Sequence, residues 1–132
     1  MIEEFSITIK KVKKPKSCDL NQDIQIISQS FGLFTKRDKE KSCFRIFLEI
    51  VKNRNGVTAE DITINTHLTR ATVIHHLNYL IKSWLITRKK HKYYLRGGTL
   101  EGLIREINSD MSNTFDELNQ IAKNIDSELT LK

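Results

Sequence analysis

The sequence is sparing in the residues that punctuate β-rich folds. One proline and five glycines among 132 residues leave few places for the tight turns of a β-sandwich, so a mainly α chain is expected. The two cysteines, Cys18 and Cys43, form no CxxC or CxxxC pair. That removes zinc-ribbon spacing and the redox dithiol, and leaves reduced thiols as the expectation. No apolar run approaches the ~18 residues of a membrane span. The acidic start Met1-Ile2-Glu3-Glu4-Phe5 lacks the apolar stretch of a signal peptide. A soluble, cytoplasmic protein with no membrane partner is expected. A phosphate-cradling glycine loop, a Ser/His/Asp order and a carboxylate pair set in a cleft are missing too. No catalytic residue, cofactor or metal is therefore assigned, and the chain is not expected to be an enzyme.

What the chain does have is charge, unevenly spread. The net charge is +6, yet from Thr99 onward three basic residues face seven acidic ones, a net of −4, so residues 1–98 carry +10. A basic body with an acidic tail puts a polyanion-binding face in the body.

Periodicity divides the chain into three parts: residues 1–18, 19–98 and 99–132. In the first, Phe5, Ile7 and Ile9 alternate with polar residues as in a half-buried strand. A basic arm, Lys10–Lys16, follows, whose one proline and mutual repulsion mark a loop. In the second, Asp19 stands as an N-cap with Gln22 three residues on, opening a helix over 20–31 that Gly32 can close. A second helix runs from near Asp38 to Asn55-Gly56, with Cys43, Ile46, Phe47, Ile50 and Val51 as its inner stripe. Thr58 caps a short helix to Ile64, with Glu60 and Asp61 at its positive end. After a turn at 65–68, Thr69 caps a helix over 70–83 with Val73, Leu77, Leu80 and Ile81 inside. Leu85-Ile86-Thr87 and Tyr93-Tyr94-Leu95 read as two strands around Arg88-Lys89-Lys90-His91-Lys92, and Gly97-Gly98 ends the unit.

The third part reads as one long helix. Ile104, Met111, Leu118 and Ile125 lie seven apart, Leu100, Ile107 and Ile121 fit a second seam position, and Phe115 widens the seam. About 30 residues span about 45 Å, too long a stripe for an ~85-residue body to cover. A second copy of the chain is the economical partner.

Helix, short helix, turn, helix and basic hairpin, in that order, is the winged helix-turn-helix. The DNA major groove, about 12 Å wide, admits one α-helix, and the hairpin reaches neighbouring phosphates or the minor groove. The run Thr58-Ala59-Glu60-Asp61-Ile62 through Thr69-Arg70-Ala71-Thr72-Val73-Ile74-His75-His76-Leu77-Asn78-Tyr79-Leu80 resembles winged-helix regulators of the ArsR/MarR type. It is most similar to archaeal members with a long C-terminal dimerisation helix. The resemblance covers residues 38–98, and 99–131 in architecture only. It implies a transcriptional regulator that binds duplex DNA as a homodimer on an inverted repeat. The sequence itself does not separate repressor from activator, and a repressor is expected because the chain is small and has no evident ligand domain.

On that reading Thr69, Arg70, Thr72, His75 and Tyr79 form the groove-facing side of the recognition helix. Arg70 suits bidentate guanine contact, and Arg88, Lys89, Lys90, His91 and Lys92 form a positive wing tip for phosphates. His76, offset from that side, is placed either to reach a phosphate or to pack under the wing, and packing is the favoured expectation. The homodimer seam is Leu100, Ile104, Ile107, Met111, Phe115, Leu118, Ile121 and Ile125. Two alternatives stand beside this: a protein-interaction adaptor, and a metal- or ligand-responsive relative. The adaptor calls for an apolar or acidic recognition face, where this one is polar and basic. The metal sensor calls for a Cys-Val-Cys signature that the chain lacks. The sequence names no effector.

One residue departs from the family pattern. Such proteins carry glycine in a Gly-Leu-Ile turn before the first wing strand, where this chain has Ser83-Trp84-Leu85-Ile86. If the position needs φ > 0, Trp84 costs roughly 1–2 kcal/mol. Either the turn is rebuilt, or Trp84 packs on the long helix and offsets the strain.

Overall fold

The computed structural model of the chain describes residues 6–13, 19–35, 37–38 and 40–130. Phe5, the 14–16 stretch of the basic arm, Cys18 and Leu131 lie outside these. The described residues are mainly helical, with a small three-stranded antiparallel sheet and a long C-terminal helix.

Helix α1 (Leu20–Ser30) opens on the expected capping box. The Asp19 carboxylate accepts from the Gln22 amide at 2.8 Å, and the Gln22 side chain accepts from the Asp19 amide at 3.1 Å. These two bonds satisfy donors that a helix start leaves open. Gly32 follows the end of α1 with φ +71°. Helix α2 (Ser42–Lys52) starts later than the expected Asp38. The Asp38 side chain does serve this helix, but from outside it, accepting from the Ser42 and Cys43 amides, each at 2.9 Å. Lys41, in the left-handed region, makes the bend between them.

Strand β1 (Val57–Thr58) leads into α3 (Ala59–Thr66), and α4 (Arg70–Lys82) follows after His67-Leu68-Thr69. Thr58 and Thr69 are the caps the sequence marks, their hydroxyls accepting from the Asp61 and Thr72 amides at 3.1 and 3.2 Å. The Arg45 guanidinium donates to the Thr66 carbonyl and ties α2 to the end of α3. Strands β2 (Ile86–Lys89) and β3 (Lys92–Leu95) form a hairpin with a two-residue turn, and β3 pairs on its other edge with β1, Val57 opposite Tyr93. Helix α5 (Leu100–Thr130) ends the described chain.

One core holds these elements. Ile46, Phe47 and Ile50 of α2, Ile62 of α3, Val73, Leu77 and Leu80 of α4, and Ile86 of β2 are all buried. Each contributes about 1.5–3 kcal/mol relative to remaining in water. Leu103 and Ile107 of α5 are buried with them, and Leu100 packs on the edge. The first two turns of α5 therefore belong to the same body as residues 19–98.

Two expectations need correction. Residues 6–13 form no strand, and Ile7 packs against the core without a sheet partner among the described residues. The segment is held instead by a bond from the Lys10 amide to the Ser30 carbonyl, 2.6 Å; alternation reports a half-buried extended chain, whether or not a neighbouring strand exists. Second, Ile107 and Leu100 face this chain's own core, so Ile107 at 3% exposure has no surface left to offer a second copy.

Candidate nucleic-acid interface

Because Val73, Leu77 and Leu80 occupy the buried side of α4, its 3.6-residue period turns a second set of residues outward. Arg70, His75 and Tyr79 are exposed there, and Thr72 is half-buried. The Thr69 hydroxyl also donates to Thr72 Oγ1 at 2.9 Å, so the two threonines act as one polar corner at the start of the helix. The face offers hydroxyls, a guanidinium, an imidazole and a phenol. Such groups match phosphate oxygens and base edges.

The basic hairpin lies beside that face. Arg88, Lys89, Lys90, His91 and Lys92 are all exposed. Lys89 pairs with Lys92 across the ladder, and Lys90 turns the chain at φ +59°. Like charges directly opposite on a ladder destabilise it, so a tip built this way is costly to the hairpin alone. Arg88 spends part of its guanidinium on the hairpin, donating to the Lys90 carbonyl at 3.1 Å and lying 5.8 Å from the centre of the Tyr93 ring.

The two pieces share a cleft. A concavity of about 720 Å³ is lined by Arg70, Ile74 and Asn78 from α4, by Arg88, His91 and Tyr93 from the hairpin, and by Glu60 from α3. Residues far apart in the chain are thus set around one space, with Glu60 its only carboxylate among the described residues. A second concavity of about 750 Å³ lies on the other flank of α4, between His75, His76 and Tyr79 and the connector carrying Arg37 and Asp38. The exposed edge of α4 stands between these two hollows.

The second hollow explains His76, which lines it with Asp38 instead of packing under the wing. Burial lowers the His76 pKa; the Asp38 carboxylate opposes this, and neighbouring His75, ring centres 5.2 Å apart, adds to it. For Asp38, burial alone would raise the pKa, but the Cys43 and Ser42 amides, the Ser42 hydroxyl and the His76 charge outweigh it and hold the carboxyl below its ordinary value. Burial, with Asp38 nearby, pushes the Cys43 thiol up to about 12. Such a thiol is unreactive at neutral pH. Among the described residues no three His, Cys, Asp or Glu side chains come together as a metal ion would need.

The other expected surface is on α5. Ile104, Met111, Phe115, Leu118, Ile121 and Ile125 are exposed, and Leu129 extends the row. From Met111 to Leu129 the apolar positions step by four and three, the spacing of a helix–helix seam. No helix of the described residues is long and apolar enough to cross a membrane.

Sequence reasoning missed two features. Strand β1 is two residues long, too short to show a period. Arg96, by contrast, is a lone basic residue beside the Gly pair, yet its guanidinium meets Glu106 at 3.0 Å and also Asp110, both on α5. Comparison of the chain with protein-family models, with curated proteins and with solved structures returns no match in any of the three.

Proposed function

We propose that this chain is a winged helix-turn-helix protein that binds duplex DNA sequence-specifically as a homodimer and regulates transcription, as a repressor. The observation that carries the reading is the shared cleft, where the outward face of α4 and the basic hairpin contribute Arg70, Arg88 and His91 to one space. In this reading α3 braces α4, α4 enters the major groove, and the hairpin is the wing. Thr69, Arg70, Thr72, His75 and Tyr79 face the groove floor and wall; Lys89, Lys90, His91 and Lys92 meet phosphates. The +10 charge of residues 1–98 favours the approach of a polyanion.

The homodimer supplies the second half of the site. The exposed α5 row from Met111 to Leu129 would pair with its counterpart, and a two-fold axis would set two α4 helices about 34 Å apart, one turn of DNA. Selection of bound sites from a random duplex pool tests this. The expected product is an inverted repeat with half-site centres about ten base pairs apart. Recovery of unpaired half-sites only would remove the dimer from the reading. An unenriched pool would remove sequence-specific binding.

A further inference from the structure

We infer that Arg96 is a positioning residue that locks the angle of the wing to the long helix α5, so that the way two chains pair is passed on to how the wing meets DNA. The inference rests on the DNA-binding reading for its consequence, but its geometry stands apart from that reading.

Arg96 is the first residue after β3, and its side chain is only 13% exposed. Its donors reach two separate parts of the fold. Nε donates to Glu106 Oε1 at 3.0 Å and Nη2 to Asp110 Oδ2, one turn apart on α5, while Nη1 donates to the Trp84 carbonyl at 3.3 Å. The guanidinium also lies 4.8 Å from the centre of the Trp84 ring, within cation–π range. Its backbone amide donates to the Leu85 carbonyl at 3.1 Å. One side chain therefore joins the exit of the wing, the turn that enters it, and the helix beyond it.

The covalent link at this junction is the weakest the chain can offer. Gly97 and Gly98, both at positive φ, form the whole connection between Arg96 and the cap of α5, and glycine fixes no angle by itself. What fixes it is contact. Gly97 lies so close to Gly102 in the first turn of α5 that a Cβ on either would collide with the other's backbone. Glu106 and Asp110, four apart and alike in charge, repel each other along a helix unless a cation lies between them. A planar fork with donors on two edges meets all three partners at that place, and an ammonium, a single point charge, can meet only some of them. Trp84, held at φ +61°, provides the ring and carbonyl that brace the fork's other side.

The test combines a distance and an affinity. Nitroxide labels are placed at His91→Cys in the wing and Asn119→Cys on α5 in a Cys18→Ser chain, with Cys43 left buried and the labelled chain diluted in unlabelled chain. Pulsed electron resonance should give a narrow distance distribution that broadens in Arg96→Ala. The unlabelled Arg96→Ala chain should still self-associate, yet bind duplex DNA about 2- to 30-fold more weakly, the range for residues that couple two sites. Arg96→Lys should recover part of each effect. If Arg96→Ala does not fold, Asp110→Asn, which keeps the Glu106 and Trp84 contacts, should show the same two effects in smaller measure. An unchanged distance width overturns the clamp, whatever the DNA result. Broadening with unchanged DNA affinity overturns its role in binding. Failure of the parent chain to bind any duplex counts against the functional reading, and the distance arm then judges the clamp alone.

Discussion

Replacing Leu118 with alanine should weaken self-association without harming the fold. The side chain is 53% exposed in the single chain, so roughly half the burial free energy of a leucine, about 0.8–1.5 kcal/mol, is still to be gained in a dimer. Two copies lose it together, giving about 1.6–3 kcal/mol, a rise in the dimer dissociation constant of roughly 15- to 150-fold. Ile107→Ala is the control. That side chain is 3% exposed, and its truncation should cost about 2–5 kcal/mol by leaving a cavity in the chain's own core. Sedimentation equilibrium reads the first effect. Thermal unfolding at two protein concentrations separates them, because only dimer loss makes Tm depend on concentration in a new way. A Leu118→Ala chain that associates like its parent would refute the seam as the interface.

Three further outcomes follow from particular residues. The His76 pKa is lowered in the fold, so the stability it lends is present above the unfolded value of about 6.5 and is lost as pH falls through the folded value; Tm measured from pH 8 to 5 should drop more in the parent than in His76→Gln, and equal drops would remove His76 as the cause. Trp84→Gly relieves a positive φ but loses the ring under Arg96 and beside Met111, Phe115 and Leu118; since burial of such a ring outweighs ~1–2 kcal/mol of strain, thermal unfolding should show a lower Tm, and a higher one would mean the ring contributes little. Lys90→Gly removes strain at φ +59° from an exposed turn, and should stabilise the fold by about 1 kcal/mol in denaturant unfolding, where a loss of stability would contradict the turn geometry.

Local signals were the legible ones. Asp19, Thr58 and Thr69 each cap the helix the sequence assigns them, because a cap and the amide it accepts from lie within three residues. The α4 outward face and the basic turn were legible for the same reason: a helix of known period and a hairpin each place their own side chains. Their meeting around one cleft needed tertiary structure. So did the fate of α5, since the same heptad spacing that exposes Leu118 buries Ile107, and periodicity cannot say whether a stripe meets its own body or another chain. Asp38 acts across a left-handed bend at Lys41, a conformation lysine rarely adopts and no pattern announces. Arg96 reaches partners ten and fourteen residues away. Trp84 does take a positive φ, +61°, and it lines a hollow with Met111 and Phe115 of α5, a neighbourhood that no local pattern announces.

The most direct test of the central claim is the salt dependence of duplex DNA binding, for the parent chain and for one carrying Lys89→Gln, Lys90→Gln and Lys92→Gln together. Each phosphate contact contributes a slope of about 0.9 in log affinity against log salt. The parent should bind random duplex at low salt and lose affinity steeply, and the variant should bind every sequence more weakly with a slope shallower by up to about 5 for two wings. A parent that fails to bind duplex DNA at low salt, or a variant with the parent's slope, would contradict the account.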